Sequence, residues 1–252
     1  MVSLLMPLAS TDFDVTEVVV PWDAARRAGL DVVFATEDGL PGRCDPRLLS
    51  GVLFGQLGAK PEVVRLYAEL EQAPEFARPL RWSDVREADY AALALHGGHA
   101  PGMRPYLESQ AVQDLAVAFF AAKKPVGAIC HGGVVLARAV VSATGKSVLD
   151  GRRATALTKL LERSAYYLTA WKLGRYYRTY PEYVQDEVTR ALGAGAFETG
   201  PLPSDARPFT VRDGDLVTAR WPGDASKYAA DLVALVRAHA DARAASGSVS
   251  GA

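Results

Sequence analysis

Cys130 is the residue best placed for nucleophilic chemistry, because of its setting in the segment Lys124 to Arg138, KPVGAICHGGVVLAR. Pro125 ends the preceding segment, Val126 to Ile129 is a short apolar run suited to a buried strand, and Gly132 and Gly133 open an apolar run that reads as helix. A cysteine wedged between a buried parallel strand and the first turn of a helix occupies a strained turn beside unpaired helical N–H groups. That is a nucleophile elbow with cysteine in place of serine. The N–H groups predict a thiol that ionises well below the free value of about 8.5. The bland alternative is a small buried hydrophobe, as most intracellular cysteines are, but the strand-Cys-His-Gly-Gly-helix context favours the nucleophile.

Other polar residues fall where they can serve such a nucleophile. Glu17 lies at a helix start just beyond the carboxyl end of the first expected strand, the edge where open α/β sheets bind ligands. On position alone it reads as well as a complement to the helix dipole. Gly97 and Gly98 follow a third strand, Tyr90 to His96, and their lack of side chains lets backbone N–H groups approach a ligand. His99 is open as an acid, a loop anchor or a metal ligand, with the anchor favoured. His96 and His99 are too few to argue a metal site, so no metal is expected. Cys44, between Arg43 and Asp45, reads as a bystander thiol.

The elements that must position these residues alternate in type along the chain. Val2 to Leu8 reads as a central parallel strand, Ser10 to Asp14 as a loop, and Thr16 as the cap of a helix ending at Gly29. Asp31 to Thr36 reads as the second strand, Pro61 to Gln72 as a helix, and Pro101 to Ala122 as one long amphipathic helix. Arg153 to Leu157 reads as a further short strand. Pro208 to Val211 and Leu216 to Ala219 read as a strand pair around Asp213-Gly214, and Asp224 to His239 as the closing helix. The alternation predicts a flavodoxin-like α/β three-layer sandwich with a central, mostly parallel sheet. A single domain over residues 1–240 is expected, with insertions near 42–82 and 157–204 and a mobile tail at 241–252. The second insertion carries Tyr166, Tyr167, Trp171, Tyr176, Tyr177, Tyr180 and Tyr183. Half-buried packing and a lid over the cysteine both stay open for it.

The 252 residues are 49% hydrophobic and 23% charged with a net charge of −1, which points away from disorder and gives no field to attract nucleic acid or an anionic membrane. No apolar run approaches the ~18 residues of a membrane span. The segment MVSLLMPLAS serves better as a first strand than as an export signal, so the cytoplasm is the expected compartment and a structural disulfide is not expected. A small-molecule substrate is the expected partner, with no nucleic acid or membrane and with a homodimer as the expected assembly.

AICHGG resembles the elbow of the DJ-1/PfpI superfamily, the ThiJ and Hsp31-like relatives of class I glutamine amidotransferase domains. Three further segments match that family in order: TDFDVTEVVVPWDAARRAG (Thr11 to Gly29), LALHGGHAPGMRPYLES (Leu93 to Ser109) and DGDLVTARWPGDA (Asp213 to Ala225). The resemblance implies that Glu17 faces Cys130, that Gly97, Gly98 and His99 supply part of an oxyanion and substrate site, and that His131 is catalytic beside a downstream acid. Asp186, Glu187 and Glu182 are candidates for that acid by position alone. His96 departs from the family pattern, in which proline often precedes the two glycines. The implied function is a cofactor-independent cysteine enzyme acting on a small carbonyl or C–N substrate, a glyoxalase-III-like lyase or an amide or nitrile hydrolase or hydratase. The alternative is a redox-sensing or chaperone-like member in which Cys130 is oxidised rather than turned over.

Overall fold

The computed structural model describes residues 2–53 and 57–249, with no account of side chains beyond residue 245. Seven strands form the central sheet: β1 (Ser3–Pro7), β2 (Asp31–Thr36), β3 (Leu80–Arg81), β4 (Ala92–Leu95), β5 (Val126–Ile129), β6 (Thr210–Asp213) and β7 (Leu216–Ala219). Their spatial order is β6-β7-β5-β4-β1-β2-β3, and every neighbouring pair is parallel except the β6-β7 hairpin. β4, β5 and β7 are buried along their whole length and apolar but for Thr218, because helices cover both faces of the sheet. The α/β flavodoxin-like sandwich is therefore observed.

On one face α1 (Val15–Arg27) packs against α2 (Pro61–Glu71) and the closing helix α7 (Ala225–Val249); on the other lie α3 (Gln110–Ala121), α4 (Gly132–Arg138) and α6 (Val184–Leu192). Gly127 shows how closely α7 approaches β5, since a Cβ there would stand 2.4 Å from the Tyr228 hydroxyl oxygen. The 42–82 region adds α2 and the edge strand β3, which pairs with β2 through Ala35 and Thr36. The 157–204 region supplies α5 (Lys159–Leu173), the loop 174–183 and α6.

Local chemistry moves several boundaries from their expected places. Asp14, not Thr16, caps α1: its Oδ1 accepts from Thr16 N at 2.8 Å and Glu17 N at 3.2 Å. The single helix expected over Pro101 to Ala122 is broken at Ser109, which takes an extended ψ of 115° and caps α3 through Val112 N. The strand expected over Arg153 to Leu157 is reduced to Arg153–Ala154, paired in parallel with Ala196–Phe197. The closing helix continues past His239 to Val249, through part of the expected tail, and residues 250–252 lie outside the described residues. No helix among the described residues is long and apolar enough to cross a membrane.

Candidate active site

Cys130 follows directly on β5 and precedes α4, and its φ of 58° lies in the left-handed region that an L-residue other than glycine enters only at a cost. The turn is held from both sides. Cys130 N donates to Ala219 O on the adjacent strand at 3.0 Å, and Cys130 O accepts from Gly133 N at 3.2 Å. The result presents the thiol at the carboxyl edge of the sheet with 1% of the residue exposed.

Glu17, in the first turn of α1, reaches the same point across the switch between β1 and β4. Its Oε2 accepts from Gly97 N at 2.8 Å, while Oε1 is buried without a hydrogen-bond partner. A Cβ placed on Gly97 would lie 2.6 Å from His131 N, 2.9 Å from Glu17 Oε2 and 3.0 Å from Cys130 Cβ, so any side chain there would collide with all three. Gly97 is thus the spacer that lets carboxyl and thiol share one pocket.

Burial dominates the titration of both groups. Loss of solvent, with help from Asp14, holds the Glu17 carboxyl well above the usual carboxylate range. The Cys130 thiol is pushed well up by burial first, then by the neighbouring Glu17 and Asp14 carboxyls, while His131 N–H pulls it down. This corrects the expectation of an easily ionised thiol. The N–H groups do favour the thiolate, but a seven-residue helix beside a dry, acidic pocket does not outweigh desolvation. Both shifts favour the protonated forms of Glu17 and Cys130.

His131 adjoins the cysteine in sequence, yet its ring folds back so that Nδ1 lies 3.6 Å from Cys130 Sγ. Its other nitrogen, Nε2, is 3.2 Å from Thr179 Oγ1, and that hydroxyl donates its one hydrogen to His99 O at 2.7 Å. Thr179 can then only accept from Nε2–H, which leaves the Nδ1 lone pair facing the thiol. Complete burial holds the ring well below its usual pKa, so it is a neutral acceptor. None of the candidate acids reaches it: Asp186 pairs with Lys159 at 2.7 Å, Glu187 with Arg138 at 2.7 Å, and Glu182 with Arg190. A threonine hydroxyl stands where an acid was expected.

Thr179 is held by the buried pair Arg178–Glu162, in which Arg178 Nη1 donates to Glu162 Oε1 at 2.6 Å and Glu162 Oε2 accepts from Val184 N at 2.9 Å. Tyr177 in the same loop donates to Asp45 Oδ2 at 2.8 Å. The tyrosine-rich insertion therefore covers the site through Tyr177 and Thr179, while Tyr167 and Trp171 face outward.

Of the glycine loop, Gly97 is removed as an oxyanion donor, since its N–H is committed to Glu17. Among the described residues the Gly98 N–H has no acceptor, so it is not committed within the fold as Gly97 N–H is. The His99 backbone is the anchor for Thr179, and its ring, held down at about 4 by burial, stands edge-on to His131 with centroids 4.8 Å apart. His96 takes no part: it accepts from Ala9 N and stacks on Tyr106 in the core. Cys44 is also buried away, its thiol pushed up to about 12 by loss of solvent.

A cavity of about 370 Å³ adjoins the site, walled by His99 with Leu48, Val52, Leu161, Leu168 and Trp221. Asp14 closes it near Glu17, its pKa raised to about 6 by burial against the lowering effect of its two cap hydrogen bonds. A carboxyl whose folded pKa is raised binds its proton more tightly in the folded state, so its stabilising contribution is full below about 3.8 and is lost as pH rises through about 6. Asp14→Asn keeps the cap but does not ionise. Its stability relative to wild type should improve by about 2 kcal/mol between pH 4 and 7. Thermal unfolding of both proteins across that range checks this; a pH-independent difference would show that Asp14 titrates normally.

Comparison with known proteins agrees with this architecture. The family model described as ThiJ/PfpI family-like matches residues 8–192. The chain is 26% identical to Glyoxalase 3 of Candida albicans over 221 residues, covering 87% of each protein. It is 33% identical to Protein DJ-1 homolog D of Arabidopsis thaliana over 163 residues, 64% of this chain. It spans 65% of an uncharacterized Schizosaccharomyces pombe relative and 31% of the Arabidopsis protein. Among solved structures, Candida albicans glyoxalase III superposes with a TM-score of 0.69 at 22% identity, covering 93% of this chain and 97% of that one. The Rapid Encystment Protein of Francisella tularensis superposes with a TM-score of 0.72 at 16% identity, covering 94% and 99%. With the family model matching most of the chain and the same fold recurring in these structures, the chain belongs to the DJ-1/ThiJ/PfpI superfamily.

Proposed function

We propose that this chain is a cofactor-independent cysteine enzyme that converts 2-oxoaldehydes to 2-hydroxy acids, with Cys130 at a nucleophile elbow. The observation that carries the reading is the convergence of Cys130 Sγ, the His131 Nδ1 lone pair and the neutral Glu17 carboxyl around Gly97. Relatives named glyoxalase and deglycase support it.

The groups present suffice for the chemistry. The thiol proton passes to His131 Nδ1 as sulfur bonds to the aldehyde carbon, and the new oxyanion, beside the N–H groups of Gly98 and His131, takes the proton of Glu17. The Glu17 carboxylate so formed removes the hydrogen on C1, while His131 returns its proton to the C2 oxygen. Glu17 then protonates C2 and recovers a proton from the C1 hydroxyl, leaving a 2-hydroxy thioester that water cleaves to acid and free thiol. C1 is oxidised as C2 is reduced, so no external oxidant or reductant is consumed.

The apolar walls of the adjoining cavity favour substrates whose group beyond C2 is a hydrocarbon chain or ring. A panel of 2-oxoaldehydes of increasing chain length, assayed for hydroxy acid without thiol or metal additives, tests this. Turnover that rises with the apolar group is expected; hydrolysis of amides or nitriles with no hydroxy acid formed would reject it. The redox-sensing alternative is less well supported, because a protonated thiol with 1% exposure meets oxidants poorly.

A further inference from the structure

The three donors that surround the nucleophile satisfy a second chemistry. A ring nitrogen of His99, Cys130 Sγ and a ring nitrogen of His131 all lie within 4.8 Å of one another. In a tetrahedral zinc site, Zn–S of about 2.3 Å and Zn–N of about 2.0 Å at the tetrahedral angle place sulfur and nitrogen about 3.5 Å apart. The observed Cys130 Sγ to His131 Nδ1 separation is 3.6 Å.

Each ring also keeps a nitrogen without a committed partner, and His131 is oriented as metal-binding histidines are, with its other nitrogen spent on an outer acceptor. His131 gives Nε2–H to Thr179 Oγ1, which turns the Nδ1 lone pair inward. The His99 Nδ1 is buried with no hydrogen-bond partner. An unpaired buried nitrogen is a cost that a bound cation would remove. The set of two imidazoles and one thiol suits a borderline-soft ion, and three protein ligands leave the fourth position open.

We propose that His99, Cys130 and His131 form a binding site for Zn2+ that holds the protein inactive by capturing its nucleophile. On binding, a Zn–S bond replaces the S–H bond and one proton passes to solvent, while both imidazoles coordinate through existing lone pairs. The inhibition rests on the cysteine reading above; the coordination does not.

Cobalt(II) is the probe, since a thiolate ligand gives a sulfur-to-cobalt band in the near ultraviolet and tetrahedral geometry gives intense visible bands. Chelator-stripped wild type should bind one Co2+ with both signatures, and Zn2+ should displace it. Cys130→Ser should lose the near-ultraviolet band. His99→Ala, at the partly exposed ligand, should weaken binding at least about tenfold, and Thr179→Val, which frees the His131 ring, by about 10–100-fold. A wild-type spectrum of six-coordinate cobalt with no thiolate band would overturn the proposal, and so would unchanged affinity in a folded His99→Ala. If the variants do not fold, the wild-type spectrum decides alone. Tetrahedral cobalt binding by a protein that turns over no carbonyl would reject the enzyme reading but sustain the site. Turnover undiminished by saturating Zn2+ would remove the inhibitory role.

Discussion

Glu17→Gln is expected to lower kcat for 2-oxoaldehyde conversion by about 10²- to 10⁴-fold while leaving the fold and the alkylation of Cys130 intact. The glutamine oxygen can still accept from Gly97 N, as Glu17 Oε2 does at 2.8 Å, and its amide group can take the place of the unpartnered Oε1. Lost are the proton Glu17 gives the oxyanion and the proton transfer between C1 and C2 that follows it. Glu17→Ala differs, because it also removes the partner of Gly97 N and opens a void beside the thiol, so alkylation should change as well. Steady-state rates and the rate of labelling by iodoacetamide, measured on both variants, separate these effects. Retention of full turnover in Glu17→Gln would remove Glu17 from the chemistry.

The largest loss of stability is expected away from the thiol, at Asp224. Arg220, at the end of β7, and Asp224 are both fully buried and joined by two hydrogen bonds, Nε to Oδ2 at 2.8 Å and Nη2 to Oδ1 at 3.0 Å. The two N–H groups of Arg220 Nη1 tie down Thr199 O and Pro201 O, and Asp224 Oδ1 also accepts from Phe209 N. A pair satisfied this fully is tolerated in the core, but Asp224→Ala would leave a buried cation without its partner. The expected cost is about 3–5 kcal/mol, a fall in Tm of roughly 6–20 °C for a chain of this size. Replacing both residues by apolar ones should cost less than replacing Asp224 alone. Urea unfolding of the single and double variants tests this, and a double variant as unstable as the sum of the singles would show that the two do not act as a pair.

How far these sites could be read from the sequence depended on whether their cause was local. β5 is a continuous apolar run and β1 and β2 are apolar in their interiors, and a cysteine directly after such a run, with two glycines beyond His131, marks the turn at Cys130 without any tertiary information. Glu17 and Gly97 gained weight from the family resemblance, and the structure brings them together. The cap at Asp14 was legible, since Asp14 stands three residues before Glu17 in the spacing of a capping box, but the threonine between them drew the assignment. Thr179 was beyond reach, because a hydroxyl that sets the tautomer of a ring 48 positions away leaves no periodic signal. The ionisation of the thiol is hidden from the sequence for a related reason: the helical N–H groups are local, whereas the burial that outweighs them comes from the whole fold. The Arg220–Asp224 pair is likewise visible only after folding, since four residues apart on the sequence they resemble any surface ion pair.

The central claim, that Cys130 is the nucleophile of a carbonyl-converting site, is tested most directly by following hydroxy acid formation from an aryl 2-oxoaldehyde with wild type and Cys130→Ser side by side. Both proteins should show the same far-ultraviolet circular dichroism, so that any difference in rate belongs to the chemistry. The account predicts steady production by wild type and a fall of at least about 10³-fold in the serine variant, whose hydroxyl is a far weaker nucleophile at neutral pH. Equal rates from the two proteins would contradict it.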